Sequence, residues 1–333
     1  MSGILHNSGH LLWKTIRLGW FNISVNWLKN LTSFFIVMNK GCYFYIDVWD
    51  RIEKNRRLKL KIRDNVTLPL CLQIWDTDFK SSNFTKMLQI LCQEHFFGVE
   101  LNLTSFDISE IEVLLELLRS YNLRLTGIAT GAWAKKNDYS FSSEDENARK
   151  ASVEAFTEQV LAAAAFAKTK VIVGTLKGAV QIDKQKQLQS FFRSLCEIDA
   201  VNKKMKVPVY LEATNHYESC AANTVSDTVE VIKKLHGEGR YFVLPDTYHM
   251  NMEETNFFIP VLKNRNYFTN IHLSDNNRCF PGYGMLRFGE VYSALKAADY
   301  QGTLTIEGRI QNDFDEEIRN SAAFLRCTAM NYC

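Results

Sequence analysis

Short apolar segments alternate with longer amphipathic segments from about Leu68 towards the end of the chain. The short segments are five or six residues long and rich in Val, Ile, Leu and Phe, which favours buried β-strands. We predict eight strands in this part of the chain: Leu70–Trp75, Gly98–Asn102, Leu123–Ile128, Lys170–Gly174, Val207–Glu212, Tyr241–Asp246, Phe268–His272 and Thr303–Glu307.

The segments between these strands carry apolar residues at helical spacing, as Leu114, Leu117 and Leu118 do. Strand and helix in regular alternation predict a parallel sheet, and eight such units are the number that closes a (β/α)8 TIM barrel. A doubly wound open sheet is the alternative, which the lack of a G-x-G-x-x-G or P-loop after the first strand disfavours. The predicted helices include Ile108–Ser120, Asn147–Ala167, Lys184–Val201 and Thr224–Leu235.

Residues 1–66 do not share this alternation, and their charge differs from that of residues 67–333. They carry eleven Lys/Arg against four Asp/Glu, a formal +7, whereas the other 267 residues carry 28 against 33, a formal −5. We interpret residues 1–66 as an atypical N-terminal extension of unknown role and residues 67–333 as the α/β barrel. The extension could be an accessory element on the barrel, a membrane-surface or partner-binding arm, or translated sequence before an internal start at Met38.

Composition narrows the class of function. A hydrophobic content of 46% and a charged content of 23% are ordinary for a globular protein with a large core. The chain has no run of about 18 apolar residues and no signal-peptide pattern, so we expect a cytoplasmic protein without membrane contact. Its eight cysteines include no C-x-x-C pair, which predicts reduced thiols, most of them in the core. The acidic barrel disfavours nucleic acid, whose phosphates need a basic face.

Four metal-ligating side chains end four successive predicted strands. They are separated by 34, 26 and 35 residues, about one βα unit each. The C-terminal ends of barrel strands converge on one mouth, so these residues should meet there. A lone acidic residue at a strand end is more often a helix N-cap or a surface charge, but four in succession behind apolar runs predict a shared cation. This donor set suits Mn²⁺, Mg²⁺ or Co²⁺. The predicted metal ligands are Glu212, Asp246, His272 and Glu307.

Three more polar residues follow the proposed ligands by three to six positions, on the loops where a barrel enzyme holds its substrate. Arg278 and His249 can donate hydrogen bonds to hydroxyl or carbonyl oxygens, and Glu218 can accept them. Each also has an ordinary alternative. Arg278 could be a salt-bridge partner, His249 a residue at a helix N-terminus, and Glu218 a solvated loop charge.

Four segments of the chain resemble the xylose isomerase-like TIM-barrel superfamily, and within it the D-tagatose 3-epimerase type of ketose epimerase: EATNHYESCAANTVSDTV, LPDTYHMNMEE, HLSDNNRCFPGYGMLRF and GTLTIEG. The resemblance covers roughly Leu68–Leu325. It implies a divalent-metal-dependent isomerase that holds one ion, usually Mn²⁺, with the four predicted ligands. It also implies that Glu212 and Glu307 form the acid/base pair. The substrate-binding residues that it implies are Glu218, His249 and Arg278.

The chain departs from the ketose epimerase pattern in two places. Ser274 and Asp275 stand where Gly-Glu is usual, and the early strand ends match no familiar pattern, which leaves the identity of the substrate open. Trp133, just past the third predicted strand, could form a wall against the apolar face of a sugar, or it could be an ordinary packing tryptophan.

The chemistry that the resemblance implies is proton transfer next to a ketose carbonyl. A metal on the carbonyl and the neighbouring hydroxyl stabilises an enediolate, while one glutamate removes the proton and the other returns one. The same metal site and acid/base pair would also suit an aldose–ketose isomerase, or a lyase or dehydratase that acts on a keto-sugar, inosose or 3-keto-C-glycoside. Two other classes are disfavoured: an endonuclease IV-like enzyme by the acidic barrel and the few histidines near the mouth, and a non-catalytic barrel by the presence of all four ligands. We expect a small sugar-like partner and leave a homo-oligomer open.

Overall fold

The computed structural model describes residues 68–75, 78–181, 183–219 and 221–332, and the backbone of four strands nearer the N-terminus. These four strands form an antiparallel sheet in the order β1-β2-β3-β4. Met38 lies outside the described residues. The four strands are β1 (Leu12–Leu18), β2 (Phe21–Trp27), β3 (Ser33–Val37) and β4 (Tyr43–Asp47).

Eight further strands form a parallel sheet in the order β10-β9-β8-β7-β6-β5-β12-β11. The ends of this order meet where the backbone N–H of His272 donates to the carbonyl oxygen of Pro245 at 2.9 Å. The sheet is therefore a nearly closed barrel, which confirms the predicted (β/α)8 fold. Its strands are β5 (Leu70–Ile74), β6 (Gly98–Asn102), β7 (Arg124–Ala129), β8 (Val171–Val173), β9 (Val209–Glu212), β10 (Tyr241–Leu244), β11 (Asn270–Leu273) and β12 (Thr303–Ile306).

Helices surround the barrel, and side-chain caps help to define where several of them begin. Asp107 accepts hydrogen bonds from the first turn of the helix Ile108–Ser120, and Thr224 forms a capping box at the start of Val225–Lys234. The other helices are Ser82–Gln93, Gly131–Asn137, Glu146–Ala155, Leu161–Ala167, Lys184–Met205, Thr247–Glu253, Phe258–Lys263, Phe288–Ala297 and Phe314–Tyr332.

The sequence predicted element types better than element ends. The strand Gly98–Asn102 and the helix Ile108–Ser120 have the predicted bounds. The segment predicted as a helix, Asn147–Ala167, is helical throughout, with a π-helical turn at Phe156–Val160 between two α-helical parts. Apolar periodicity does not report such a turn, because the buried face continues through it.

Two predicted ligands lie just beyond their strands. Asp246 follows β10 by two residues and Glu307 follows β12 directly, whereas both were predicted as the last residues of strands. Both carboxylates are therefore on the loops at the mouth of the barrel.

Among the residues that the structure describes, no helix combines the length and the apolar character needed to cross a membrane.

Candidate metal and sugar site

The four predicted ligands come together at the mouth of the barrel. One ligand atom from each of Glu212, Asp246, His272 and Glu307 lies within 4.8 Å of every other, and all four residues are buried. Ligand atoms bound to one ion at about 2.1 Å lie roughly 3 to 4 Å from one another, so the cluster is close to the size that a divalent cation needs. Three carboxylates and one imidazole also fit a hard or intermediate cation.

Asp246 combines two roles. Its Oδ1 accepts hydrogen bonds from the backbone N–H of Tyr248 at 2.7 Å and of His249 at 3.2 Å, which caps the helix Thr247–Glu253. Its Oδ2 faces the cluster, 2.6 Å from the guanidinium of Arg278. Asp246 can therefore cap the helix and contribute a metal ligand at the same time, because each role uses a different carboxylate oxygen.

His272 lies between two carboxylates. Its Nδ1 is 2.5 Å from Oε2 of Glu307, on the side of the cluster. Its Nε2 is 2.7 Å from Oε2 of Glu100, a fully buried residue in the middle of β6. Burial alone would lower the pKa of His272, but the charges of Glu100 and Glu307 raise it well above its ordinary value.

Arg278 closes the cluster from the loop after β11. Its guanidinium contacts Oδ2 of Asp246 at 2.6 Å and Oε1 of Glu307 at 2.9 Å, and it stacks over the ring of Tyr248 at 5.0 Å. Burial alone would raise the pKa of Glu307, but the charges of Arg278 and His272 hold it well below its ordinary value. The Glu307 carboxylate is therefore ionised at neutral pH.

His249 lies on the Glu212 side of the cluster. Its Nδ1 accepts a hydrogen bond from the backbone N–H of Asn215 at 3.2 Å, which leaves Nε2 as the donor, 3.3 Å from Oε1 of Glu212. Burial would lower the pKa of His249, whereas Asp246 and Glu212 raise it above its ordinary value. Glu218 is more exposed and accepts a hydrogen bond from the side chain of Asn215 at 3.1 Å.

A cavity of about 230 Å³ opens in front of these residues. Glu212, His249, Arg278 and Glu307 are among the residues that line it. Its volume and polar lining suit a small polyhydroxylated ligand better than a large apolar one. Beyond the predicted site residues, the lining includes Gln73, Trp75, Asn102, Thr175, Tyr248 and Arg309.

Residues 91–327 match the model of a protein family described as xylose isomerase-like TIM barrel. The chain belongs to this family. The resemblance seen in the sequence alone is thereby confirmed.

Two curated relatives of this xylose isomerase-like barrel are sugar epimerases. The 3-dehydro-D-guloside 4-epimerase of Escherichia coli is 35% identical over 134 residues, which are 40% of this chain and 51% of the relative. The D-psicose 3-epimerase of Enterocloster bolteae is 31% identical over 125 residues, 38% of this chain and 41% of the relative. The matched part of the chain thus spans about half the length of these relatives or less.

A solved structure agrees with this fold. The 3-keto-D-glucoside 4-epimerase of E. coli superposes with a TM-score of 0.66 at 24% identity, over 78% of this chain and all of that chain. At this identity the likeness concerns the fold, and what the xylose isomerase-like barrel does must be argued from its own residues.

Seven site residues other than Trp133 were predicted. Five of them line the cavity, namely Glu212, Glu218, His249, Arg278 and Glu307. The other two, Asp246 and His272, belong to the cluster with Glu212 and Glu307. Trp133 is elsewhere: it is 2% exposed and packs on Phe106 at 5.5 Å and on Tyr139 at 4.7 Å. The prediction of a tryptophan wall therefore does not agree with the structure, and the packing alternative does. Sequence reasoning missed the contributions of Glu100 and Tyr248.

Proposed function

We propose that this chain is a divalent-metal-dependent sugar epimerase or isomerase that moves a proton next to a ketose carbonyl. The observation that carries the proposal is the cluster of three carboxylates and one imidazole within 4.8 Å at the mouth of the barrel. The names of the curated relatives support it, since each inverts a carbon beside a carbonyl group. We also propose residues 67–333 as the active unit and residues 1–66 as a separate extension.

The proposed ligands of the ion are Glu212, Asp246, His272 and Glu307, and we propose Mn²⁺ ahead of Mg²⁺ and Co²⁺. When bound, a divalent cation would polarise the substrate carbonyl and stabilise the negative charge of an enediolate. The donor set supports this choice, because hard oxygen ligands and one imidazole suit such cations better than thiolate-seeking metals.

Glu212 and Glu307 are the proposed acid/base pair. Both carboxylates line the cavity, and they project from β9 and from the loop after β12, two strands that are not neighbours in the sheet. Two carboxylates that reach a substrate from different directions can remove a proton on one face and return one on the other, which inverts a carbon. The low pKa of Glu307 keeps it in the proton-accepting form before substrate arrives.

Three side chains would orient the substrate. The Nε2–H of His249 and the guanidinium of Arg278 both line the cavity and can donate to a carbonyl or hydroxyl oxygen, and Glu218 can accept from a hydroxyl. The pocket therefore suits a keto-sugar, either a free ketose or a glycoside that carries a keto group. A lyase or dehydratase acting on such a compound is the alternative chemistry, since it begins with the same proton removal.

The test uses metal-free protein with Mn²⁺ restored, a panel of free ketoses and 3-keto-glycosides, and D₂O as solvent. We expect an epimer as product, with deuterium at the inverted carbon, and turnover that chelator abolishes and Mn²⁺ restores. A saturating ion should also raise the free energy of unfolding, by about 2.7 kcal/mol at 100 times its Kd. Elimination products without an epimer would favour the lyase. Turnover of no compound in the panel, with no deuterium exchange, would contradict the proposal.

A further inference from the structure

A second group of charged side chains lies behind His272, on the side away from the cavity. Glu100 on β6 and Lys170, which directly precedes β8, form an ion pair of 3.0 Å between Nζ and Oε1. The Glu100 side chain is fully buried and that of Lys170 is 11% exposed. Neither residue lines the cavity, so neither can contact a substrate there.

The two oxygens of Glu100 have different surroundings. Oε1 receives the ammonium of Lys170 at 3.0 Å and the side-chain amide of Asn270 at 2.8 Å, and the hydroxyl of Thr305 lies 3.1 Å from it. Oε2 lies 2.7 Å from Nε2 of His272. The donors around Oε1 hold the carboxylate in one orientation, and that orientation aims Oε2 at the imidazole.

An ionised carboxylate only accepts hydrogen bonds, so the nitrogen that faces it must carry a proton. By the same rule Nδ1, which lies 2.5 Å from the ionised carboxylate of Glu307, also carries a proton in this structure, and a divalent cation held by the four proposed ligands would take the place of that Nδ1 proton and leave the one on Nε2. A histidine that binds a metal commonly donates its second N–H to such a carboxylate, which fixes the ring orientation and the tautomer.

We infer that Glu100 is a positioning residue that holds His272 with its proton on Nε2 and its Nδ1 directed at the metal ion, and that Lys170 holds Glu100 in place. This inference rests on the proposed function, because it assigns a task toward the ion that the function requires. It adds two residues from the first half of the barrel to a site whose ligands all come from the second half.

Glu100→Gln is the informative variant, because it keeps the size of the side chain and removes its charge. The donors around Oε1 require an acceptor there, so the amide oxygen should take that position. The amide NH₂ would then face Nε2 of His272 and favour the opposite tautomer, with the proton on Nδ1. We expect the affinity for Mn²⁺, measured by titration calorimetry on the full-length protein, to fall by about 10- to 100-fold.

Thr305→Val is the matched control. It removes one contact to Oε1 and leaves the carboxylate, so the tautomer of His272 should not change. We expect its affinity for Mn²⁺ to stay close to that of the wild type, while any loss of packing or hydrogen bonding appears as lower thermal stability. An equal loss of Mn²⁺ affinity in both variants would mean that Glu100 acts through general packing, which would overturn the inference.

A second measurement does not depend on a variant that folds. ¹⁵N NMR of histidine-labelled wild type loaded with the diamagnetic ion Zn²⁺ reports which nitrogen of each imidazole carries a proton. We expect His272, identified by the signal that His272→Asn removes, to carry its proton on Nε2 and to bind the ion through Nδ1. Binding through Nε2, or unchanged Mn²⁺ affinity in Glu100→Gln, would overturn the inference and leave the proposed function standing. A wild type that binds neither Mn²⁺ nor Zn²⁺ would contradict both the inference about Glu100 and the proposed function.

Discussion

Glu212 places its carboxylate in the space directly in front of Gly174, where any larger residue would put its Cβ atom. Gly174 follows β8, and both residues line the cavity. A methyl group at Gly174 would lie far inside van der Waals contact with Oε2 of Glu212. The atom in the way is the end of a flexible side chain, so the carboxylate can turn aside while the backbone stays in place.

Gly174→Ala should therefore separate function from stability. We expect kcat/KM to fall by about 100-fold, because a misplacement of about 1 Å at a reacting group has effects of that size, while the melting temperature changes little. Gly239→Ala is the control: it adds a methyl group where no atom lies within 4 Å, at a φ of +82°. That variant should lose stability with unchanged kcat/KM. Normal turnover in Gly174→Ala would show that Glu212 need not occupy its observed position.

Glu307→Gln tests the proposed acid/base pair. The amide cannot take up a proton, so we expect kcat to fall by at least about 10²- to 10⁴-fold, the usual contribution of a positioned acid or base. Circular dichroism should show an intact barrel. Glu116→Gln, which changes an exposed carboxylate of the helix Ile108–Ser120, should leave kcat unchanged. Near-normal turnover in Glu307→Gln would exclude the assigned role.

The four proposed ligands could be predicted from the sequence because each stands at the C-terminal end of an apolar strand segment. The parallel strands of a barrel all end at the same mouth, so these residues were expected to lie close together. Glu100 could not be found in this way. It lies inside a strand of five residues, where a charged residue ordinarily indicates a solvent-facing position, and its partners Lys170 and His272 are 70 and 172 residues away. Only the closed barrel brings these three side chains together.

Trp133 illustrates a different limit. The sequence placed it correctly after the third barrel strand, but the direction of a side chain on the helix Gly131–Asn137 depends on how that helix packs. The indole lies between Phe106 and Tyr139. The position of a residue along the chain thus predicts whether it lies near the mouth of the barrel. The packing of its helix determines whether its side chain reaches the cavity.

Trp133→Phe is expected to affect stability and not substrate binding. The smaller ring would leave part of a buried site empty, at a cost of about 1–3 kcal/mol in the free energy of unfolding. KM for the best substrate of the panel should stay within about twofold of the wild type, since the indole does not line the cavity. A large rise in KM without loss of stability would restore the substrate-wall interpretation of this residue.

Lys177 leads to a prediction about pH, because its ammonium group is fully buried after β8. It donates hydrogen bonds to the carbonyl oxygens of Glu212 at 2.7 Å and Ala222 at 3.2 Å. Burial lowers the pKa of Lys177 to about 8, against partial compensation by Glu212 and other carboxylates. The unfolded chain therefore binds more protons than the folded one between pH 8 and the ordinary lysine pKa of 10.5, and this residue's contribution to stability rises with pH across that window.

Urea unfolding of the wild type and Lys177→Met at pH 7.5 and pH 10 measures this contribution. Other groups, such as the Cys71 thiol with its raised pKa, change stability in the opposite direction, but they do so equally in both proteins. The hydrogen bonds lost in Lys177→Met are lost at both pH values, because a neutral amine can still donate in the wild type. The wild type should therefore gain roughly 2–3 kcal/mol relative to the variant on going to pH 10. Parallel changes in the two proteins would mean that Lys177 stays charged when buried, held by its contacts beside Glu212.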